Sequence, residues 1–361
     1  MASLLLDDQP GGQRSIPEVV EWFAAMQGQD LASLQWSLGL RTGTNRAEVI
    51  RAFDSGRILR TWPMRGTLHV VPGRDVHWML EHLGARALAG AARRREILDL
   101  TAADADRAAD VLGTALAGGT VLTRAECVEV LESAGIPGAG QRAYHLLWYA
   151  SQKGVTCLGP PRGKEQTFVL LDDFAPPGPG LDRPAALAEI AARFVRSHGP
   201  VSAHDLARWA DLTLTDARAA LASAEGLTTL DFEGRTLHVT EQQRDTHPDE
   251  SIDPMDRLPA RALPGFDEFI LGYRDRTAQL DAEHERLVVP GGNGVFANTL
   301  VLDGRVVGTW RRRELVRSVE IAAAPFARLG LRAQQDLEPA LRSYGEFVGK
   351  PARVTWSDPA G

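Results

Sequence analysis

The sequence predicts an α+β protein assembled from repeated small units. Two observations carry this. A helix–helix–helix–hairpin order, that of a winged-helix unit, runs along the chain three times, and such self-similarity sets an architecture before any other reading. After the third copy an acidic stretch broken by Pro248 and Pro254, "RDTHPDESIDPMD", separates a part of different pattern. The expected division is a first winged helix over 1–100, a second over 101–178 and a third over 179–244. An acidic linker over 245–256 and a C-terminal α+β domain over 257–361 complete it.

Each element has its own signal. Ser15 with Glu18 forms a capping box with Pro17 in the first turn, and Val19, Val20, Phe23 and Met26 recur at helical spacing until Gly28. Asp30 caps the next helix, with Leu31, Leu34 and Leu38 on one face. Asn45 with Glu48 opens a third, to about Phe53, and "RILRTW", "PMRG" and "TLHVV" then read as a hairpin. The second copy is "AADADRAADVLGTALAG", the Thr-capped "TRAECVEVLESAG" and "QRAYHLLWYASQKG", closed by a hairpin in "VTCLGPPRGKEQTFVLL". The third is "RPAALAEIAARFVRSHG", "SAHDLARWADL", "TLTDARAALASAEG" and a hairpin about Glu233–Gly234. In the last part "LVLDGRVVGTW" is a strand pair about Asp-Gly, and residues 332–348 form an amphipathic helix.

A chain of 361 residues exceeds one ordinary core, and 44% hydrophobic with 24% charged residues is ordinary globular composition. No apolar run is long enough to cross a membrane. The acidic N-terminus lacks a signal peptide's basic region, and Cys127 and Cys157 make no ligand pattern, so a cytoplasmic protein with reduced core thiols is expected. Net charge is −7, yet residues 41–95 hold eleven arginines against four acids, +7 locally and −14 elsewhere. A basic segment on an acidic protein is a footprint of polyanion binding; an arginine-rich genome gives the same count. Winged helices bind duplex DNA or other proteins, and three in tandem with a basic first unit favour nucleic acid.

Five stretches resemble one family: "AAMQGQD", "WPMRGTLHVV", "GQRAYHLLWYASQKGVTCLGP" with "TFVLLDD", "LPGFDEFILGYRDR" and "GNGVFANTLVLDGRVVGTWRR". Together they resemble the bacterial winged-helix DNA glycosylases typified by the azinomycin-resistance glycosylase, the AlkZ-like and YcaQ-like proteins, over roughly residues 15–348. The short motif that separates the branches is glutamine–aliphatic–glutamine in the AlkZ-like one and glutamine–x–aspartate in the YcaQ-like one. Gln27 and Gln29 match the AlkZ-like pattern, with Gly28 in place of the aliphatic residue. The resemblance implies three winged-helix units in a C shape around DNA and removal of N7-alkylated purines, bulky adducts and interstrand crosslinks included. It implies no metal and no cofactor. The expected partner is duplex DNA carrying alkylated purines, bound by a monomer.

The chemistry fits two amides. An N7-alkylated purine is cationic and leaves as a neutral base, so no acid has to protonate it. The protein has to hold a water behind the anomeric carbon and stabilise an oxocarbenium-like transition state. An amide carbonyl has no useful basicity, but it orients a water and sets partial negative charge near the developing cation. Gln27 and Gln29 are thus the expected catalytic residues; the plainer reading is that they end the first helix and face solvent. Arg57, Arg60, Arg65, His69, Arg93, Arg94 and Arg95 are the expected DNA-binding residues, His69 being equally readable as a structural strand histidine. Asp30 reads as a cap, Trp36, Trp62 and Trp78 as core, and Asp275 with Arg276 as a structural ion pair. The only lysines are Lys153, Lys164 and Lys350, none near the motif, which disfavours a Schiff-base step. The alternatives are a non-catalytic winged-helix regulator, which would protect one operator sequence, and, last, a protein-interaction scaffold.

Overall fold

A computed structural model describes residues 1–7, 14–245, 258–292 and 294–359. The chain runs through α1 (Ile16–Phe23), β1 (Met26–Gln27), α2 (Leu31–Thr42), α3 (Arg46–Ala52), β2 (Ile58–Met64) and β3 (Thr67–Pro72). Three short helices follow, α4 (Val76–Leu83), α5 (Ala85–Gly90) and α6 (Ala92–Ile97). Next come α7 (Ala102–Leu116), β4 (Leu122–Thr123), α8 (Arg124–Ser133), α9 (Gln141–Gln152), β5 (Thr156–Arg162), β6 (Glu165–Leu170) and α10 (Leu171–Phe174). The third series is α11 (Arg183–His198), α12 (Ala203–Trp209), α13 (Leu214–Ser223), β7 (Leu227–Phe232), β8 (Arg235–Thr240) and α14 (Glu241–Asp245). The last is β9 (Arg261–Leu263), α15 (Glu268–Leu271), α16 (Glu285–Val288), β10 (Asn298–Leu302), β11 (Arg305–Glu314), β12 (Val319–Pro325), α17 (Leu331–Val348) and β13 (Ala352–Trp356). The class is α+β. The expected acidic linker lies outside the described residues except for Asp245.

Helix starts follow the caps. Asp30 accepts from the backbone N–H of Ala32 and Ser33, Asn45 from that of Glu48, and Thr123 from that of Glu126. The first helix differs from expectation. It stops at Phe23, where Ala24 takes a φ of 62°, and not at Gly28. Met26, expected on the helix, is instead strand: Met26 pairs with Val70 and Gln27 with His69. The two Gln residues therefore do not end a helix; the hydrogen-bonding groups of β3 capture the chain first.

The hairpins of the first two series share one sheet, ordered β1-β3-β2-β5-β6-β4, joined where Arg60 meets Leu158. β7 and β8 form a sheet of their own, and β13-β12-β11-β10-β9 a third. Two hydrophobic cores cross between series. One packs Val19, Phe23, Trp36 and Leu38 against Leu300, Trp310 and Tyr344. Another packs Leu59, Val71 and Met79 against Ile190, Phe194 and Trp209. Trp36, Trp62 and Trp78 are all core, as expected. Cys127 and Cys157 are buried and free.

Polar ties lock the C-terminal part onto the first series. Arg41 makes a two-pronged pair with Asp267 at 2.8 and 2.9 Å, and neither side chain is more than 1% exposed. Removing either partner would strand a buried charge, at about 3–5 kcal/mol. The Trp36 indole N–H donates to the Ala262 carbonyl at 2.8 Å. This attachment carries α15, and with it Glu268, to the edge of β1. Among the described residues, no helix is long and apolar enough to cross a membrane.

Candidate active site

β1 is an edge strand, so the Gln27 N–H points away from β3 and needs an acceptor. Glu268, 1% exposed, supplies it: its Oε1 accepts from Gln27 N at 3.1 Å. Its Oε2 accepts from the Trp209 indole at 3.0 Å and faces His198 Nε2 at 3.3 Å. Burial opposes the charge on this carboxyl, but the His198 and Trp209 hydrogen bonds and the nearby Arg65 outweigh it and hold it below the usual carboxylate range. An anion is thus fixed directly behind the Gln27 backbone.

The amides are fixed by backbone donors. Gln29 N donates to Gln27 Oε1 at 2.9 Å, and Leu68 N donates to Gln29 Oε1 at 3.3 Å. Since both donors are N–H groups, each accepting atom has to be the amide oxygen, which sets the orientation of both amides. A carbonyl oxygen has two acceptor sites, so each keeps one free. Among the described residues, neither side-chain NH₂ has a protein partner. Gln27 is half-buried and Gln29 exposed, so both are within reach of solvent. Between them Gly28 N donates to Leu68 O at 2.8 Å, and Arg60 Nη2 donates to Gly28 O at 2.9 Å. A Cβ at Gly28 would lie 3.3 Å from the His69 carbonyl carbon, closer than ordinary contact. The glycine lets this loop lie flat on β3.

His69 sits between Gln27 on one side and Thr61 on the other, and is fully buried. Arg65 Nη2 donates to its Nε2 at 2.7 Å, so Nδ1 carries the proton and donates to Thr67 O at 2.9 Å. Burial, then the Arg65 charge, pushes His69 down to about 3. It is a neutral imidazole with both nitrogens occupied, which fits the structural reading better than direct phosphate contact. Arg65 stands on the two-residue turn of the β2–β3 hairpin. Arg65 and Gly66 have φ of 56° and 64°, the type I′ geometry that an Arg adopts only under strain.

The structure does not treat the expected DNA-binding residues alike. Arg60 binds Gly28 within the motif, and Arg65 binds the His69 that pairs with Gln27. Arg57 is exposed at the opposite end of the hairpin. Arg94 hydrogen-bonds Gln141, Arg95 stacks 5.6 Å from the Tyr149 ring, and Arg93 is exposed with no protein partner among the described residues. The +7 of residues 41–95 also overstates the free charge. Arg41, Arg46, Arg74 and Arg86 pair with Asp267, Glu314, Glu21 and Asp211. Asp275 and Arg276 do not pair with each other: Asp275 binds Arg235 at 2.5 Å and Arg276 faces Glu285 at 3.4 Å. Adjacent residues point apart, and each found a partner from another segment. Glu268 was missed by sequence reasoning; the one signal was an acid inside the apolar run "FDEFIL".

Buried polar atoms without a protein partner collect here. Twelve such side-chain atoms occur among the described residues, and five lie in residues 60–67: Arg60 Nε, Thr61 Oγ1, Trp62 Nε1, Arg65 Nε and Thr67 Oγ1. Unused hydrogen-bonding capacity concentrated on one hairpin marks a place built for something besides packing. Two oriented amide oxygens with a buried anion behind them can hold a water and stabilise positive charge.

The chain is similar to an interstrand DNA cross-link repair glycosylase of Streptomyces sahachiroi, 28% identical over 343 residues, which are 88% of this chain and 86% of that protein. Its fold matches the solved structure of the Streptomyces sahachiroi DNA glycosylase AlkZ with a TM-score of 0.78 at 24% identity, covering 98% and 97% of the two chains. The family described as "DNA glycosylase AlkZ-like" matches residues 20–347, and this chain belongs to that family of DNA glycosylases.

Proposed function

We propose that the chain is a monofunctional glycosylase that removes cationic N7-alkylpurines from duplex DNA, bulky guanine adducts and interstrand crosslinks among them. The observation that carries the reading is the pair of amide oxygens on Gln27 and Gln29, each oriented by one backbone N–H and each with one acceptor site unused. A water donating to both would keep a lone pair for the anomeric carbon. The base leaves with the electrons of its glycosidic bond, becomes neutral and needs no proton. The water's oxygen bonds to the sugar and its surplus proton goes to solvent. As the sugar becomes cationic, the two carbonyl dipoles and the Glu268 carboxylate beneath Gln27 lower its energy, and they need no reorganisation to do so. A carboxylate in the loop itself would push harder on a poor leaving group; amides suffice for a good one. Three winged-helix units grouped about the duplex would let the site act without swallowing a bulky adduct.

The test is incubation with duplex DNA bearing one N7-methylguanine, followed by scission of abasic sites, with a uracil-containing duplex as the neutral control. Abasic sites from the methylated duplex alone are expected. Excision of uracil, or of neither base, would sink the reading.

A further inference from the structure

A cavity of about 880 Å³ opens at the β2–β3 turn, lined by Arg65, Arg94, Arg124, Tyr144, His145 and Trp148 among others. Its volume is in the range that takes a small-molecule-sized group, about 300–1,000 Å³. Arg65 links it to the active site, since the same guanidinium holds His69 opposite Gln27. Three arginines face this cavity and none of its lining residues is acidic. None of the three forms an ion pair among the described residues. A cavity of about 730 Å³ on the third series differs: Asp205 and Asp275 line it, and Asp275 already neutralises Arg235.

Two further features point to what fills the basic cavity. Tyr144 is 45% exposed, in edge contact with Trp62 and with the Arg124 guanidinium 5.7 Å from its ring. An exposed ring among arginines is how proteins stack unpaired bases while holding their phosphates. His145 is 5% exposed, and its Nε2 has no protein partner. A base edge would supply one. Three guanidiniums also repel a cation, so the charged lesion base of the proposed reaction is disfavoured here.

We propose that this cavity binds one unpaired, uncharged-base nucleotide of the bound DNA, its phosphate on Arg65, Arg94 and Arg124 and its base on Tyr144. The role rests on the proposed reaction: cutting a lesion out of a duplex leaves the neighbouring nucleotides poorly stacked, and a site for one of them would hold the DNA open at Gln27 and Gln29.

The experiment is fluorescence anisotropy with two undamaged duplexes, one fully paired and one carrying a single unpaired thymidine. The wild type should bind the second about tenfold more tightly, the worth of stacking one base on an aromatic ring. Tyr144→Ala should erase that ratio. So should Gly90→Glu, because Gly90 lines the cavity and a Cβ there meets nothing within 4 Å, so the fold tolerates the side chain while the cavity does not. Thermal midpoints of both variants should match the wild type. A wild-type ratio near one, or a ratio that survives both substitutions, overturns the proposal. Neither duplex contains a lesion, so the ratio is read apart from excision. A protein that shows the ratio but leaves N7-methylguanine in place fails the proposed reaction, while the cavity assignment stands.

Discussion

The hairpins β2–β3 and β7–β8 make the same turn and end in opposite surroundings. Arg65–Gly66 and Glu233–Gly234 both have two positive φ angles, 56° and 64° against 52° and 73°. β7–β8 is a two-stranded sheet whose six residue pairs run without interruption from Leu227↔Thr240 to Phe232↔Arg235. β2–β3 lies inside a six-stranded sheet, and its register slips between Thr61 and Met64. Pro63 cannot donate to a ladder there, and such a bulge re-aims the side chains around it. Among the described residues the regular hairpin has no buried side-chain polar atom without a partner, and all but Val239 of its strand residues are exposed or half-buried. The irregular one buries polar atoms without protein partners beside the paired glutamines. Turn chemistry alone therefore does not separate the two hairpins; an interrupted ladder with unmet hydrogen-bonding capacity does.

The sharpest test of that contrast is at the motif held against β3. Gln27→Ala or Gln29→Ala should slow single-turnover excision of N7-methylguanine on the order of 10², comparable to losing one transition-state hydrogen-bonding group. Thermal stability should change little, since a half-exposed amide contributes only about 1 kcal/mol. Wild-type rates in both variants would reduce the pair to loop-forming residues. Arg65→Asn is the next step down. Asn suits a left-handed turn better than Arg, so the backbone should relax, yet the donor to His69 and one cavity cation are lost. A fall of about tenfold in excision is expected, the worth of one charged hydrogen bond. Unimpaired excision would mean that Arg65 only shapes the turn.

His69 links the same region to pH. Its folded value is about 3, against about 6.5 when unfolded. A depressed imidazole favours the folded state only while neutral, so its contribution is complete above about pH 6.5 and is lost progressively as pH falls toward 3. Glu268 and Asp267, held low as carboxylates, add losses in the same direction at more acid pH. Between pH 6.5 and 5 the thermal midpoint of the wild type should decline, and that of His69→Gln should decline less. Equal slopes would show that His69 does not titrate on unfolding.

Much of the fold was legible because caps, turns and periodicity are local. Asp30, Asn45 and Thr123 start the helices that they were expected to start, and Asp303–Gly304 turns the β10–β11 hairpin. The candidate site was legible in Gln27, Gln29, Arg60, Arg65 and His69, but not in how they are held. A two-residue strand such as β1 has no period to detect, so Met26 fell in with the helical pattern. Glu268 lies 241 residues from Gln27, and nothing local says which buried backbone donor it meets. The basic segment was counted correctly, but ion pairing to distant acids cannot be read from a count. If the three arginines of α6 meet DNA phosphates, replacing Arg93, Arg94 and Arg95 together with alanine should flatten the dependence of affinity on salt. Arg95 is stacked on Tyr149, so Arg93→Ala with Arg94→Ala should account for most of the reduction given by all three, lowering the slope of log affinity against log salt by about 0.9 per lost phosphate contact. An unchanged slope would remove α6 from the DNA interface.

The smallest expected effect is on the regular hairpin. Glu233 holds a left-handed backbone that its branched-free but Cβ-bearing side chain disfavours, with no buried contact to compensate: it is exposed at the tip of β7–β8. Asn-Gly is the sequence this turn geometry prefers. Glu233→Asn should therefore raise stability by about 0.5–1 kcal/mol, the scale of a relieved left-handed residue, seen as a rise of a few degrees at most in the thermal midpoint. The same substitution is made at Arg65, with the same backbone gain. What distinguishes the two sites is the side chain removed: at 233 a solvated carboxylate, at 65 the donor that fixes His69. Excision should be unchanged at 233 and reduced at 65. Equal losses at both would trace the effect to turn geometry and dissolve the distinction between the two hairpins.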